Sequence, residues 1–223
     1  MTGFDIAFQK LYGKVEACFA NSPKCHDFDH TMRVLRNAQM IADALPEADL
    51  TIVRLAALLH DIARADEIRC QGKSLNHAAA GALLVPEYLR DFPVDARVVS
   101  AVAEAVRTHR YRDGEIPETL EAKIVYDADK IDALGAVGIG RAFLFAGRSG
   151  AKLHNTCAAA LASEEYSEED TAYREYLVKL RHLPQAMLTE PGRKIAMERI
   201  GFMREFFIRM NQESGIPEVE DEN

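Results

Sequence analysis

The sequence predicts an all-α fold. Apolar residues recur at helical spacing along most of the chain, and no stretch alternates with a period of two between turn residues. With 223 residues and a hydrophobic fraction of 48%, the chain is long and apolar enough for one sizeable core. We therefore expect a single-domain helical bundle over residues 1–213, followed by a charged tail over 214–223.

The helical pattern divides into nine predicted segments, some with recognisable ends. Asp27 is suited to cap the second helix, Ser74 or Asn76 the fourth, and Pro93-Val94-Asp95 precedes the fifth. The Gly- and Ser-containing segment 147–157 is predicted to be a loop. The predicted helices cover residues 4–20, 28–45, 50–64, 75–90, 95–109, 119–133, 134–147, 168–181 and 191–213.

Composition excludes several classes of function. The formal net charge of −8 argues against binding to long nucleic acids, which requires a basic face. A small anionic substrate stays compatible, because a metal ion can invert the field inside one cleft. The N-terminal segment carries charges throughout and has no apolar h-region, and no apolar run approaches the length of a membrane span, so we expect no signal peptide, no transmembrane segment and no membrane partner. Four cysteines without CxxC pairing favour a reducing cytoplasm.

Histidines and aspartates embedded in apolar helical segments predict a metal site. His60 and Asp61 follow Ile52–Leu59, a run too apolar for a surface helix, so the pair is expected in the interior. His30 lies on a polar helix face where a core would be apolar, and Asp129 belongs to a group of three neighbouring acids. Two imidazoles and two carboxylates suit Mn, Fe, Co, Ni or Zn better than calcium.

This H…HD…D pattern resembles the HD-domain superfamily of metal-dependent phosphohydrolases. The segments 26–34 and 127–141 are most similar to small single-domain bacterial proteins that resemble manganese-dependent nucleoside triphosphate pyrophosphohydrolases. The resemblance extends over residues 20–213. It implies an HD-domain helical bundle with a divalent metal bound by His30, His60, Asp61 and Asp129.

Two further histidines occupy segments where two-metal members of the superfamily add ligands. His77 and His109 are therefore candidates for a second metal, or for holding a phosphate between two imidazoles. Arg110 stands where the two-metal phosphodiesterases carry another histidine, which is a departure from their pattern.

Cations next to the predicted ligands are candidates for binding substrate phosphate. Arg33 and Lys130 are each close in sequence to a predicted ligand, and a phosphorylated substrate needs such charges. His26, four residues before His30, is a further candidate substrate contact.

A catalytic acid is less easily assigned. Nucleotidase and alarmone-hydrolase branches place an acid three residues after the HD pair, where this chain has Arg64. That role, if filled, would fall to Asp66 or Glu67, so the predicted catalytic residues are these two acids and Asp61.

The leading interpretation is a metal-dependent phosphohydrolase that uses metal-activated water. Its substrate would be a nucleotide or related phosphate ester, for example a nucleoside triphosphate cleaved to monophosphate and pyrophosphate. A di-iron oxygenase of the same superfamily is one alternative, and it needs His77 and His109 as ligands. A non-catalytic metal- or nucleotide-binding module is another. The sequence leaves a homodimer open.

Overall fold

The structure is a computed structural model that describes residues 3–19, 27–70, 75–110 and 115–217. Over these residues its regular elements are helical, which confirms the all-α prediction. None of the described helices combines the length and hydrophobicity needed to cross a membrane. The α-helices are α1 Gly3–Cys18, α2 Phe28–Asp43, α3 Leu50–Leu59, α4 Arg64–Arg69, α5 His77–Tyr88, α6 Ala96–Thr108, α7 Leu120–Asp132, α8 Gly135–Arg148, α9 Cys157–Ala162, α10 Ala172–Val178 and α11 Glu190–Glu213, and Leu180–Ala186 is a 3-10 helix.

The predicted third helix, 50–64, was wrong at its C-terminal end. α3 ends at Leu59, and the next residues form tight turns before α4. The amide of Ile62 donates to the carbonyl of Leu59, and the amide of Arg64 donates to that of Asp61, so i to i+3 hydrogen bonds replace the α-helical ladder. His60 and Asp61 thus lie on a turn between two helices.

The predictions for the C-terminal half also need correction. The predicted helix 168–181 begins only at Ala172, because the Thr171 side chain caps it by accepting from the amide of Arg174. α10 ends at Val178 and gives way to the 3-10 helix. The predicted loop 147–157 is shorter at both ends, since α8 extends to Arg148 and α9 begins at Cys157. α4 and α9, each of six residues, were not predicted.

The chain divides into two compact units, Met1–Asp129 and Lys130–Asn223, with the division inside α7. In the first unit α3 packs against α1, α2 and α6, and α5 packs against α4 and α6. Ile52, Val53 and every residue of 55–59 are buried. Burying a Leu, Ile or Val side chain contributes roughly 1.5–3 kcal/mol, so α3 anchors the core directly before His60.

Three predicted helix starts are confirmed, and two of them position predicted ligands. The Asp27 side chain accepts from the amide of His30 at the start of α2. That of Asn76 accepts from two amides in the first turn of α5, the helix that begins at His77. Asp95 caps α6 in the same way. Each cap contributes about 1 kcal/mol and fixes where its helix begins.

In the second unit, α11 packs against α8 and the 3-10 helix, and α10 packs against α8 and α9. Tyr173, Tyr176 and Phe207 form an aromatic cluster, with ring centroids of Phe207 5.3 Å from Tyr173 and 4.8 Å from Tyr176. Residues 218–223 of the predicted tail lie outside the described residues.

Candidate metal centre

The first unit brings the four predicted ligands to one place. The Nε2 atoms of His30 and His60 are 3.3 Å apart, and each lies 3.7 Å from Oδ2 of Asp61. Oδ1 of Asp129 lies 3.4 Å from Nε2 of His30. The Asp129 side chain is 23% exposed, whereas that of Asp61 is 5% exposed, so the cluster is most accessible on the Asp129 side.

A buried side-chain contact fixes α2 against α7 near Asp129. Nδ2 of Asn37 donates to the carbonyl oxygen of Ala128 over 3.1 Å. Asn37 lies two turns after His30 on α2, and Ala128 precedes Asp129 on α7. This hydrogen bond therefore contributes to bringing the His30 and Asp129 side chains together.

A second cluster forms on the other oxygen of Asp61. Oδ1 of Asp61 lies 3.2 Å from Nε2 of His77 and 3.6 Å from Nε2 of His109. These two imidazole nitrogens are 3.2 Å apart. Asp61 thus faces one histidine pair with Oδ2 and another with Oδ1, and all four histidines are buried.

The second cluster depends on a close approach of α5 to its neighbours. A Cβ atom at Gly81 would lie 3.3 Å from Cγ1 of Val106 on α6 and 3.8 Å from the carbonyl oxygen of His60. Gly81 lies one turn after His77 on α5. A small residue here lets α5 pack closely enough for His77 to reach Asp61.

The orientation of two imidazoles supports a bound cation. Nδ1 of His60 donates to the carbonyl of Ala57 over 2.8 Å, and Nδ1 of His109 donates to that of Val106 over 2.6 Å. In a neutral imidazole, a proton on Nδ1 leaves the lone pair on Nε2. In both rings Nε2 faces the Asp61 carboxylate. Facing acceptors repel each other unless a cation lies between them, so the donor set fits divalent ions.

The pKa values also suit metal ligands. Burial lowers the pKa of His60 from 6.5 to about 4, although the charge of Asp61 opposes this, so the ring is neutral near pH 7. Burial raises the pKa of the Asp61 carboxyl, but contacts with His60, His109 and His77 outweigh burial and hold this pKa well below its usual range. A neutral imidazole and an ionised carboxylate are the forms that bind metal.

Glu67 links this site to two arginines. It is 6% exposed. Its Oε2 contacts the guanidinium of Arg64 and lies 3.0 Å from Nδ1 of His77, while Oε1 accepts from Arg110 over 3.1 Å. Sequence reasoning did not single out Arg64 or Arg110 as functional. Arg64 lies one turn before Glu67 on α4 and could have been noticed, whereas the Arg110 contact is between distant parts of the chain.

The remaining candidates differ in burial. Asp66 pairs with Arg69, and their side chains are 46% and 77% exposed, respectively. Arg33 is half-buried one turn after His30, and Lys130 is buried directly after Asp129. His26 lies outside the described residues.

Comparison with protein families gives one match at this site. A model of the HD domain matches residues 27–134, which contain all four predicted ligands together with His77 and His109.

The similarity to known proteins extends over almost the whole chain. The uncharacterized protein YpgQ of Bacillus subtilis is 33% identical over 215 residues, which cover 93% of each chain. A crystal structure of YpgQ in complex with ADP aligns with a TM-score of 0.70 at 30% identity, over 92% of this chain and 96% of YpgQ. A predicted HD superfamily hydrolase from an uncultured Thermotogales bacterium aligns with a TM-score of 0.66 at 28% identity, over 96% and 99%.

Proposed function

Because the chain belongs to the HD-domain superfamily, we propose that it is a metal-dependent phosphohydrolase acting on a nucleotide or related phosphate ester. The observation that carries this proposal is the position of Asp61, which faces two buried histidine pairs with its two oxygens. Cleavage of a nucleoside triphosphate to monophosphate and pyrophosphate is the first reaction to test.

The donor atoms suggest how metal would be held. His30, His60, Asp61 and Asp129 would bind one divalent ion, with Mn, Fe, Co, Ni and Zn all compatible with this N/O set. Asp61, His77 and His109 would provide part of a second site. A divalent ion here, when bound, lowers the pKa of water and offsets negative charge on a phosphoryl oxygen.

The protein's own residues would bind and neutralise the substrate. Arg64 and Arg110 are side chains of 23% and 26% exposure beside Glu67, so they reach both the buried site and solvent. Together with Arg33 and Lys130 they are our candidates for contacting phosphate oxygens. Asp129, the most exposed predicted ligand, marks the side from which substrate would enter.

A nucleotide is the preferred substrate class for two reasons. The YpgQ crystal structure contains ADP, and that protein resembles this chain over nearly its full length. The buried cluster also pairs metal-binding groups with arginines, which is the combination that recognises di- and triphosphates.

The described cysteines, Cys18, Cys70 and Cys157, are free, and we propose a reducing cytoplasmic setting.

The direct test is turnover of a nucleotide panel by metal-stripped protein reconstituted with Mn²⁺, Co²⁺, Ni²⁺ or Zn²⁺, with phosphate and pyrophosphate measured separately. We expect metal-dependent release of pyrophosphate from at least one nucleoside triphosphate. Release of phosphate alone would correct the bond that is cleaved. Lack of turnover across all nucleotides, cyclic nucleotides and simple phosphate esters would contradict the proposal.

The phosphate role of Arg110 gives a separate prediction. We expect Arg110→Ala to raise KM for the substrate about 10- to 100-fold while kcat and the ion held by His30, His60, Asp61 and Asp129 change little, because one charge-assisted hydrogen bond contributes about 1.5–3 kcal/mol. Steady-state kinetics and metal analysis measure both. Arg90→Ala, which removes an exposed arginine, is the matched control. An unchanged KM for Arg110→Ala would remove this residue from the substrate site.

The di-iron oxygenase stays a second candidate, because His77 and His109 lie where a second metal would need them. Iron would then be retained by protein purified without added metal, and oxygen would be consumed with a carbon substrate. Phosphate-ester hydrolysis by iron-free protein loaded with zinc or manganese would exclude this alternative.

A further inference from the structure

We propose that Glu67 is a positioning residue that accepts a hydrogen bond from Nδ1–H of His77 and thereby directs the Nε2 lone pair of this ring toward a second divalent ion. The inference rests on the proposed metal-dependent function. It assigns Glu67 a role other than the leaving-group acid that the sequence suggested.

His77 differs from His60 and His109 in what orients its ring. Those two histidines donate Nδ1–H to main-chain carbonyls, which fix the tautomer irrespective of side chains. Nδ1 of His77 instead faces two side chains, Oε2 of Glu67 at 3.0 Å and a guanidinium nitrogen of Arg64 at 3.1 Å. The tautomer of this ring is therefore set by side chains.

The two neighbours of Nδ1 have opposite consequences. If Arg64 donates to Nδ1, the ring proton lies on Nε2, which is 3.2 Å from Oδ1 of Asp61, and His77 cannot bind metal. If Glu67 accepts from Nδ1, Nε2 carries a lone pair directed at the same place as that of His109. A carboxylate behind a histidine ligand is a recurrent way to orient the ring and raise its basicity.

The surroundings of Glu67 fit this role better than proton transfer to a leaving group. Both carboxylate oxygens already accept hydrogen bonds, Oε2 from Arg64 and Oε1 from Arg110. The two guanidinium groups offset the charge of a side chain that is almost fully buried. A carboxylate held in this way is fixed in position and remains an acceptor, which a positioning residue requires.

Glu67→Gln separates these roles, because glutamine keeps the shape but has only one acceptor oxygen. Arg64 and His77 lie at Oε2 and Arg110 lies at Oε1, so one neutral amide oxygen cannot replace both carboxylate oxygens, and it accepts from Nδ1–H of His77 more weakly than a carboxylate does. We expect the parent to bind a second Mn²⁺ per chain, and Glu67→Gln to weaken that second ion about 10- to 100-fold while the first is unaffected. Calorimetric titration of metal-stripped protein with Mn²⁺ measures both affinities.

The control is Glu87→Gln, which makes the same change at an exposed position of α5, the helix that carries His77. It should bind both ions as the parent does. A parent that binds only one ion at saturation, or a Glu67→Gln variant that binds the second ion like the parent, would overturn the inference. Neither result requires turnover, so a failure of the proposed phosphohydrolase activity is recognised separately in the nucleotide panel.

A measurement on the parent alone covers the case in which Glu67→Gln does not fold. In Zn²⁺-loaded protein labelled with ¹⁵N-histidine, the nitrogen resonances should show the His77 proton on Nδ1 and a metal-coordinated Nε2. A proton on Nε2 of His77 in the loaded protein would overturn the inference.

Discussion

Asp61→Asn is expected to lower kcat/KM at least about 10³-fold and to remove bound metal from both clusters. The physical reason is that Asp61 provides an anionic oxygen to each histidine pair, and the neutral amide that replaces it presents a donor to one of them. Metal-assisted catalysis contributes several kcal/mol to the barrier, and each 1.36 kcal/mol is a factor of ten in rate. Elemental analysis and initial rates with saturating Mn²⁺ measure the two effects.

Asp91→Asn is the matched control, since it makes the same substitution at an exposed aspartate of the same unit. It should keep the metal content and the rate of the parent. Circular dichroism and thermal unfolding of both variants, without metal, separate lost ligands from lost folding. An Asp61→Asn protein that is folded and cleaves as fast as the parent would refute the metal site.

The local part of the fold was predictable from the sequence because its causes are local. The apolar run Ile52–Leu59 packs as α3, and the side chains of Asp27 and Asn76 cap helices where polar residues precede apolar patterns. What failed was the continuation of α3 through His60-Asp61, where every residue has an acceptable helical propensity. The turn there depends on tertiary contacts of the buried His60 and Asp61, which a one-dimensional pattern does not contain.

The part of the site that follows the H…HD…D pattern was predictable from the sequence. His30, His60, Asp61 and Asp129 lie together as the pattern indicated, and His77 and His109 lie beside them. The link from Arg110 to Glu67 was not predictable, because it joins residues 43 positions apart through packing of α4 on α5 and of α5 on α6. The separation of Asp66 from Glu67 likewise depends on which face of the short helix α4 is buried.

The unfolding free energy of the metal-free protein is expected to depend on pH. As pH falls from 6.5 to about 4, metal-free protein is expected to lose up to about 3 kcal/mol of unfolding free energy through His60 alone. His60 binds its proton in the unfolded chain below pH 6.5, but in the folded protein only below about 4. Between these values the unfolded state binds more protons, so stability falls with falling pH. Urea unfolding in the presence of EDTA at several pH values measures the slope.

His60→Asn isolates this contribution, because asparagine retains a donor that can reach the carbonyl of Ala57 but does not titrate. Its unfolding free energy should fall less steeply than that of the parent between pH 6.5 and 4, while His182→Gln, which replaces an exposed histidine, should retain the parent's slope. Equal slopes for the parent and His60→Asn would show that His60 is not held neutral by burial. A steeper parent slope would instead mean that this imidazole is ready to bind metal near neutral pH, because few protons then compete for its Nε2.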